Sequence, residues 1–303
     1  MREIYYLVKR NALIYLRDRA AVFFSMLSMF IVLGLMAIFL GKMNSDDLVA
    51  ILARFGERDT AADEKNASYL IQLWTMAGIL VVNSVTITLT VLGAMVRDET
   101  RHRIVAFYVS PVKRIKLSLG YILTAWLVGT FMCLITLAVG EFYFVIQGHS
   151  LLEASALLKL TGMITLNAFT FSALGYLMAL FIHSDSAWSG MLTIIGTLVG
   201  FIGGIYLPLG TLSETLQKVL KCLPVLHGAA MMRRICTDAA LAETFAGLPD
   251  IAGDSFREQM GVTLFWNDTE ISIPMQAAVL LAYAVIAILI ATILNKNRKL
   301  KDR

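Results

Sequence analysis

Residues that could do chemistry are sparse in this chain of 303 residues, and the densest group lies in one short segment. Six of the seven residues in 97–103 are ionisable, counting His102, and they carry charges of both signs. Acid–base catalysis needs titratable groups gathered at one site, whereas mixed charges suit contact with another protein surface. The segment is therefore predicted to be a docking site.

Motifs for catalysis or for metal binding are absent from the sequence. There is no Gly-x-x-x-x-Gly-Lys-Ser/Thr phosphate loop, so the chain is not itself an ATPase, and there is no His-Glu-x-x-His or Cys-x-x-Cys pattern. No catalytic residue, metal site or cofactor bound by this chain is predicted. Cys222 and Cys236 share one predicted connection, and whether they form a disulfide stays open.

Six apolar stretches must position the docking segment, and each is long enough to cross a bilayer as a helix. Such a helix needs about 20 residues to cross about 30 Å of hydrocarbon. The predicted spans are residues 20–40, 69–96, 117–146, 160–182, 188–207 and 274–294. With 58% hydrophobic residues, the chain is predicted to be an all-α membrane protein with a single transmembrane domain over residues 1–303.

Lysine and arginine residues indicate how these spans are oriented. With a cytoplasmic N-terminus, the inner segments hold 16 of the 26 basic residues, although the outer segments are longer in total. Cytoplasmic segments are enriched in Lys and Arg, so both termini are predicted to be cytoplasmic in a plasma membrane. The net charge of +4 reflects this asymmetry and gives no reason to expect a nucleic-acid partner.

The first 19 residues are predicted to form an amphipathic interfacial helix. One arc of its helical projection carries the charged residues Arg2, Glu3, Lys9, Arg10 and Arg17. Such a helix lies along the inner leaflet, with its basic edge toward anionic lipid headgroups. The alternative is a basic segment that only sets the orientation of the first span.

Residues 97–116 carry the most specific resemblance to a known family. The charged cluster is followed by a short amphipathic turn and by the sequence Ser110-Pro111-Val112-Lys113-Arg114. These features resemble the ABC-2 family of transporter permeases, which are the membrane subunits of ATP-binding cassette exporters. In that family a similar cluster, a short apolar helix and a Thr-Pro-Val-x-Arg-like ending precede the third span. His102 stands where that family often has glycine, and Val105 where a second acidic residue is common.

This resemblance implies that residues 97–116, the coupling loop, contact a separate ATPase subunit. The residues implied in the contact are Arg97, Asp98, Glu99, Arg101, Arg103, Ile104, Phe107, Pro111, Lys113 and Arg114. The partner subunit would bind ATP and magnesium. A second copy of the permease, or a homologue, would complete a dimer.

A second resemblance follows the fifth span. There, the glycines at 203 and 204 and Pro208 are similar to a Gly-x-x-x-Pro element that precedes short re-entrant helices in the family. An apolar stripe at helical spacing independently predicts a short amphipathic helix over residues 212–223. Residues 208–273 are therefore predicted to be an extracellular re-entrant segment and loop, with Pro208, Leu216 and Pro224 at an outer gate. An ordinary extracellular amphipathic helix without a gating role is the alternative.

Small and polar residues mark one face on each of two spans. These are Gly196, Gly200 and Gly204 in the fifth span, and Asn83, Thr86 and Thr90 in the second. In lipid, helix contacts rely on small residues and on hydrogen bonds between helices. The resemblance implies that both faces line the translocation pathway or the dimer interface, and packing within one chain is the alternative.

Glu141 is the only acidic residue within a predicted span. A charge at the bilayer centre costs roughly 2.5 to 3.5 kcal/mol on insertion scales. Its place near the outer end of the third span predicts a residue solvated at the interface. A role in substrate binding or gating is the alternative.

These features together predict the permease subunit of an ATP-driven exporter, powered by ATP that a separate subunit hydrolyses. Membrane lipids, the ATPase and a second permease are the expected partners. The compact format, with one permease per chain, is typical of bacteria. An ATP-independent transporter or channel, or an integral-membrane enzyme, is the alternative.

Overall fold

Helices make up 85% of the structure. The computed structural model describes residues 2–35, 41–55, 59–108, 112–203, 208–267 and 269–297. The helices are α1 (Arg2–Arg17), α2 (Arg19–Leu35), α3 (Gly41–Leu52), α4 (Thr60–Thr100), α5 (Arg103–Tyr108), α6 (Arg114–Ile146), α7 (Ala154–Ala179), α8 (Asp185–Ile202), α9 (Glu214–Lys221), α10 (Pro224–Thr244), α11 (Asp250–Gln259) and α12 (Ile273–Asn297). Two short antiparallel strands, β1 (Phe265–Trp266) and β2 (Thr269–Glu270), precede α12.

Five helices in the described ranges are long and apolar enough to cross a membrane. They are α4, α6, α7, α8 and the Ile273–Asn295 part of α12, and they overlap the second to sixth predicted spans. The first predicted span begins as α2, while its residues 36–40 lie outside the described residues. The chain is therefore an all-α, multi-pass membrane protein, as predicted.

The long helix α4 occupies the centre of the bundle. It begins at Asp59, whose carboxylate accepts the N–H groups of Ala61 and Ala62 as an N-cap. With 41 residues it is about 60 Å long, so it extends beyond the hydrocarbon layer. It contacts α3, α6, α7, α8 and α10, because its apolar side chains surround it on every side.

Two glycines allow the neighbouring spans to pack closely on α4. A Cβ atom at Gly129 of α6 would overlap the Thr88 side chain, and one at Gly175 of α7 would overlap Leu89 and Leu92. Helices in lipid gain little from apolar burial alone, so such close approach supplies much of the contact energy.

Side-chain contacts gather the Lys- and Arg-rich segments at one end of the bundle, here called the basic end. Lys116 Nζ lies 2.9 Å from Glu3 Oε2, which joins α6 to α1. Arg114 Nη1 donates to the Asn295 carbonyl at 3.4 Å, which joins the start of α6 to the end of α12. The N-terminal helix, the coupling loop and the end of the last span therefore share one end of the molecule.

The N-terminal helix packs lengthwise against α6. Its buried residues are Leu7, Asn11 and Tyr15, and Leu7 lies against Gly120, one turn beyond the contact between Glu3 and Lys116. Further along the chain, Met26 of α2 packs in one cluster with Val139 of α6. The contacts advance in the same direction along both segments of the chain. The helices α1 and α2 therefore follow α6 and do not stand apart from the bundle.

The connection between α9 and α10 lies half-way along the bundle. Tyr283, ten residues into α12, donates its hydroxyl to the Cys222 carbonyl at 2.8 Å. Gly228 of α10 faces Asn167, which lies in the middle of α7. The chain therefore enters the bundle with α9 and leaves it with α10. We call these two helices the re-entrant pair, after the re-entrant segment that the sequence predicts over residues 208–273. The sequence predicts no separate helix at the position of α10 (Pro224–Thr244).

Candidate functional site

The coupling loop begins in the last turn of α4, and the helical conformation of the backbone stops at His102. Arg101 N–H still donates to the Arg97 carbonyl, but His102 has a φ of +54°, in the left-handed region. That conformation stops α4 and lets the chain turn into the short helix α5. Glycine adopts this conformation without strain. The backbone at His102 therefore explains why glycine is often found at this position in the family that the loop resembles.

His102 gives a test of this backbone geometry. We expect His102→Val to destabilise the protein by about 1–2 kcal/mol, because a β-branched residue is poorly tolerated in the left-handed region. His102→Gly is expected to be neutral or slightly stabilising, since it removes strain but adds entropy to the unfolded chain. SDS-induced unfolding of the purified variants measures both, with Arg101→Val as the control at negative φ. Equal stability of the two valine variants would contradict a strained His102.

A buried carboxylate holds the start of the loop in place. Arg10 of α1 donates two hydrogen bonds to Asp98, from Nη1 to Oδ2 at 2.6 Å and from Nη2 to Oδ1 at 2.8 Å. Tyr121 of α6 donates its hydroxyl to Asp98 Oδ2 at 2.7 Å. Asp98 is only 2% exposed. These residues, the inner hub, link α1, α4 and α6 through one ion pair with fork geometry.

The inner hub also reaches α5. The Arg10 guanidinium lies over the Phe107 ring, 5.2 Å from its centroid, within the range of a cation–π contact. The hydrogen bond to Asp98 raises the pKa of Arg10 above its ordinary value, so the ion pair stays charged across the physiological pH range. One arginine of α1 therefore connects the end of α4 with the short coupling helix.

Two further polar contacts tie other helices to this end. His183, between α7 and α8, has Nδ1 3.0 Å from Glu99 Oε1. Tyr176 of α7 donates to Ser118 of α6 at 2.6 Å, and Asn295 of α12 donates to the Tyr176 hydroxyl at 2.8 Å. The coupling loop is thus attached to most of the helices that cross the bundle.

The predicted coupling residues divide into an inner and an outer set. Asp98 and Ile104 are buried, whereas Arg97, Glu99 and Phe107 are half-buried. The exposed residues are Arg101, Arg103, Lys113 and Arg114, and Pro111 lies outside the described residues. Asp98 and Ile104 therefore face the bundle and position the loop, while the exposed side chains are the ones that a partner could touch.

The predicted pathway face of α4 is used largely within the chain. Asn83 is buried and donates to Thr136 of α6 at 3.1 Å. Thr86 lies near Gly196 of α8, and Thr90 donates its hydroxyl back to the Thr86 carbonyl at 2.7 Å. For Asn83 the structure thus supports the alternative of packing within one chain.

The fifth predicted span, α8, leaves one face uncovered. Gly200 is buried and Gly196 half-buried, while Gly204 lies outside the described residues. The uncovered face carries small, hydroxyl and apolar side chains, namely Ser189, Gly190, Thr193, Ile194, Thr197 and Leu198. Both threonine hydroxyls donate to backbone carbonyls of α8, so they are satisfied in lipid and remain free to accept.

The predicted outer gate residues lie around the re-entrant pair. Pro224 is buried as the first residue of α10, Pro208 is half-buried, and Leu216 of α9 is 43% exposed. Residues 224–233 are all buried. Sequence patterns missed α10 because its first half, which is buried on every side, shows no apolar stripe.

Arg233 is the residue of this region that sequence reasoning did not single out. It is fully buried in α10, with its guanidinium 4.3 Å above the centre of the Trp74 ring of α4. Its Nη2 donates to the Gly203 carbonyl at 2.5 Å, and Trp74 Nε1 donates to the Met260 carbonyl at 2.8 Å. This Trp74–Arg233 cluster pins the re-entrant pair to α4 and to the end of α8.

Glu141 does not have the predicted solvated position. It is buried, and its Oε2 accepts the Leu152 N–H at 3.0 Å, in the connection between α6 and α7. Folding of that connection over the helix end shields the carboxylate from water. The cysteines are all free, so the possible bond between Cys222 and Cys236 is not formed.

Comparison with known protein families assigns the chain. The profile of a family described as "ABC-2 family transporter protein" matches residues 52–293, which is most of the sequence. The chain belongs to the ABC-2 transporter family and is a permease subunit, the membrane component of an ABC transporter and not itself an enzyme. A comparison with curated proteins finds no match.

Proposed function

We propose that this permease exports a substrate across the plasma membrane, driven by an ATPase subunit that docks on the coupling loop. The basic end would be cytoplasmic, as the distribution of Lys and Arg favours. The observation that carries the proposal is the inner hub, which attaches the coupling loop to α1, α4 and α6. A push on α5 would therefore move whole helices and not only a loop.

The same contacts support the predicted sixth span over residues 20–40. Arg10 meets the end of α4, whereas the start of α4 lies about 60 Å away along that helix. A crossing between α1 and α4 would join the two ends, and α2 is an apolar helix in that interval. The re-entrant pair would then enter from the outer side, and the uncovered face of α8 would meet a second copy or homologue.

The outer surface of α5 supports a docking role. Val105 is 41% exposed, although it lies between the buried Ile104 and the half-buried Phe107. Arg101 and Arg103, which precede it in the sequence, are exposed as well. An exposed apolar side chain in a segment that also exposes basic side chains has the composition of a small protein-binding site.

A substitution at Val105 tests the proposal. We expect Val105→Lys to reduce ATP hydrolysis and export at least about tenfold, because a buried interface core excludes unpaired charge. Hydrolysis by an ATPase that copurifies with this chain would be measured with both subunits in lipid nanodiscs. The matched control is Ile251→Lys, which places the same charge at a side chain that is 77% exposed in α11, away from the basic end.

The result separates the permease from its alternatives. Retention of ATPase binding, hydrolysis and export in Val105→Lys would contradict docking on this surface. Export that proceeds without nucleotide in the wild-type chain would instead favour an ATP-independent transporter.

A further inference from the structure

A pocket of about 230 Å³ lies at the basic end, where α1 gives way to α2 beside the end of α4. Three arginines line it, Arg97 and Arg101 at the end of α4 and Arg103 at the start of α5. Ile14 of α1 and Asp18, which follows that helix, line it as well, and Ala94 lies one turn before Arg97 on α4. We call this the arginine pocket.

The three guanidinium groups are unpaired among the residues that the structure describes. Within the part of the chain that the structure describes, no hydrogen bond or ion pair engages Arg97, Arg101 or Arg103 through its side chain. Asp98, also at the pocket, is already neutralised by Arg10. Asp18 is the remaining carboxylate of the lining, and it accepts the Ala21 N–H at 3.1 Å. The pocket thus has an excess of positive charge and unused donors, which suit an anion with several acceptor oxygens.

The pocket lies at the level of lipid headgroups. The apolar run of α4 ends at Val96, directly before Arg97, and the apolar run of α2 begins at Ala20, directly after Asp18 and Arg19. The edge of the hydrocarbon layer falls where such runs end, and lipid phosphates lie just beyond that edge. An anion that enters from the membrane would therefore meet the three arginines at its own depth.

An adjoining groove has the right character for the remainder of a lipid. It is about 480 Å³ in volume and runs along α1 past Tyr6, Leu13 and Ile14, with Lys9, Arg10 and Arg17 beside them. Ile14 lines both the groove and the arginine pocket, so the two lie side by side. An amphipathic ligand would fill both, whereas the carboxylate of a protein side chain would use the pocket alone.

We propose that the arginine pocket binds the phosphate of an anionic phospholipid from the leaflet at the basic end. Arg97 and Arg101 would hold the phosphate oxygens in fork geometry, and the groove along α1 would accept the glycerol and the first part of an acyl chain. The bound lipid would join α1 to α4 at the inner hub. This site belongs to the permease alone and does not require the ATPase.

Lipid binding to the purified full-length chain tests the proposal. Phosphatidylglycerol and phosphatidylcholine would be titrated in detergent at about 0.5 M salt, where attraction between distant surface charges is screened. Native mass spectrometry would count the bound lipids. We expect selective binding of phosphatidylglycerol, and Arg97→Gln with Arg101→Gln should weaken it at least about tenfold, because charge-assisted hydrogen bonds are lost.

Arg2→Gln is the matched control, since Arg2 is exposed on α1 and does not line the pocket. It should bind phosphatidylglycerol as the wild type does. The pocket variants should remain folded, because neither guanidinium makes a bond within the described part of the chain. A size-exclusion profile that matches the wild type checks this.

Several outcomes would overturn the proposal. Equal binding of phosphatidylcholine, or unchanged binding in the pocket variants, would remove the lipid site. Displacement of the lipid by millimolar inorganic phosphate would assign the pocket to a soluble anion. Loss of ATPase copurification with unchanged lipid binding would assign the arginines to the partner subunit. Failure of ATPase docking in Val105→Lys alone would leave the lipid result intact.

Discussion

Replacing Asp98 with alanine is expected to destabilise the permease by about 3 kcal/mol and to abolish coupling of ATP hydrolysis to export. The substitution removes the acceptor of three hydrogen bonds and leaves Arg10 and Tyr121 facing each other without it. Removal of one partner from a buried pair typically costs 3–5 kcal/mol. We take the lower limit, because Arg10 is 31% exposed and water can reach its guanidinium.

A double-mutant cycle isolates this contact. Arg10→Leu in the Asp98→Ala background should recover part of the lost stability, because no uncompensated charge remains. The control is Glu3→Ala, which breaks an exposed ion pair with Lys116 at the same end and should change stability by less than about 0.5 kcal/mol. SDS unfolding and nucleotide-dependent export are the measurements. Additive effects of Asp98→Ala and Arg10→Leu would show that the two residues act separately.

Replacing Gly228 with alanine is expected to displace the re-entrant pair and to lower stability by about 1–3 kcal/mol. A Cβ atom at this position would overlap the Asn167 side chain in the middle of α7. Alanine normally favours a helix over glycine by about 1 kcal/mol, so a net loss would have to come from the clash. Export should fall as well, since α10 would no longer pack between α4, α7 and α12.

The rescue and the control for Gly228 are both available in α7. Asn167→Ala removes the side chain that the new methyl group meets, so the double variant should regain most of the stability. Gly162→Ala adds a methyl group where nothing lies within 4 Å, and it should be neutral or slightly stabilising. If the Gly228 and Gly162 variants unfold alike, the close approach of α10 to α7 is not present in the membrane.

Features set by local hydropathy could be predicted from the sequence. The apolar spans appear as α4, α6, α7, α8 and α12, since a run of about 20 apolar residues is enough to specify a helix in lipid. The turn between α4 and α6 could also be located, from its charge cluster, and its contact with an ATPase stays a prediction. The family profile confirms the assignment as an ABC-2 permease.

Features set by tertiary contacts could not be predicted. The sequence predicts that Asp98 contacts an ATPase as part of a cluster of mixed charge. In the structure it faces Arg10, which lies 88 residues away in the sequence. The helix α10 contains Arg233 and His227 within a moderately polar sequence, so the burial of its first half, residues 224–233, depends on contacts with distant helices. Glu141 has an apolar neighbourhood in sequence, and its partner Leu152 is brought close only by the fold.

The unbroken length of α4 has a mechanical consequence. No proline interrupts the helix, and it contacts the inner hub at Asp98 and the Trp74–Arg233 cluster toward its other end. A rigid rod of about 60 Å that tilts by about 5° moves its far end by about 5 Å. Under the proposed function, this helix would act as a lever that turns a small displacement at the nucleotide-driven side into the opening of a passage on the far side of the bilayer.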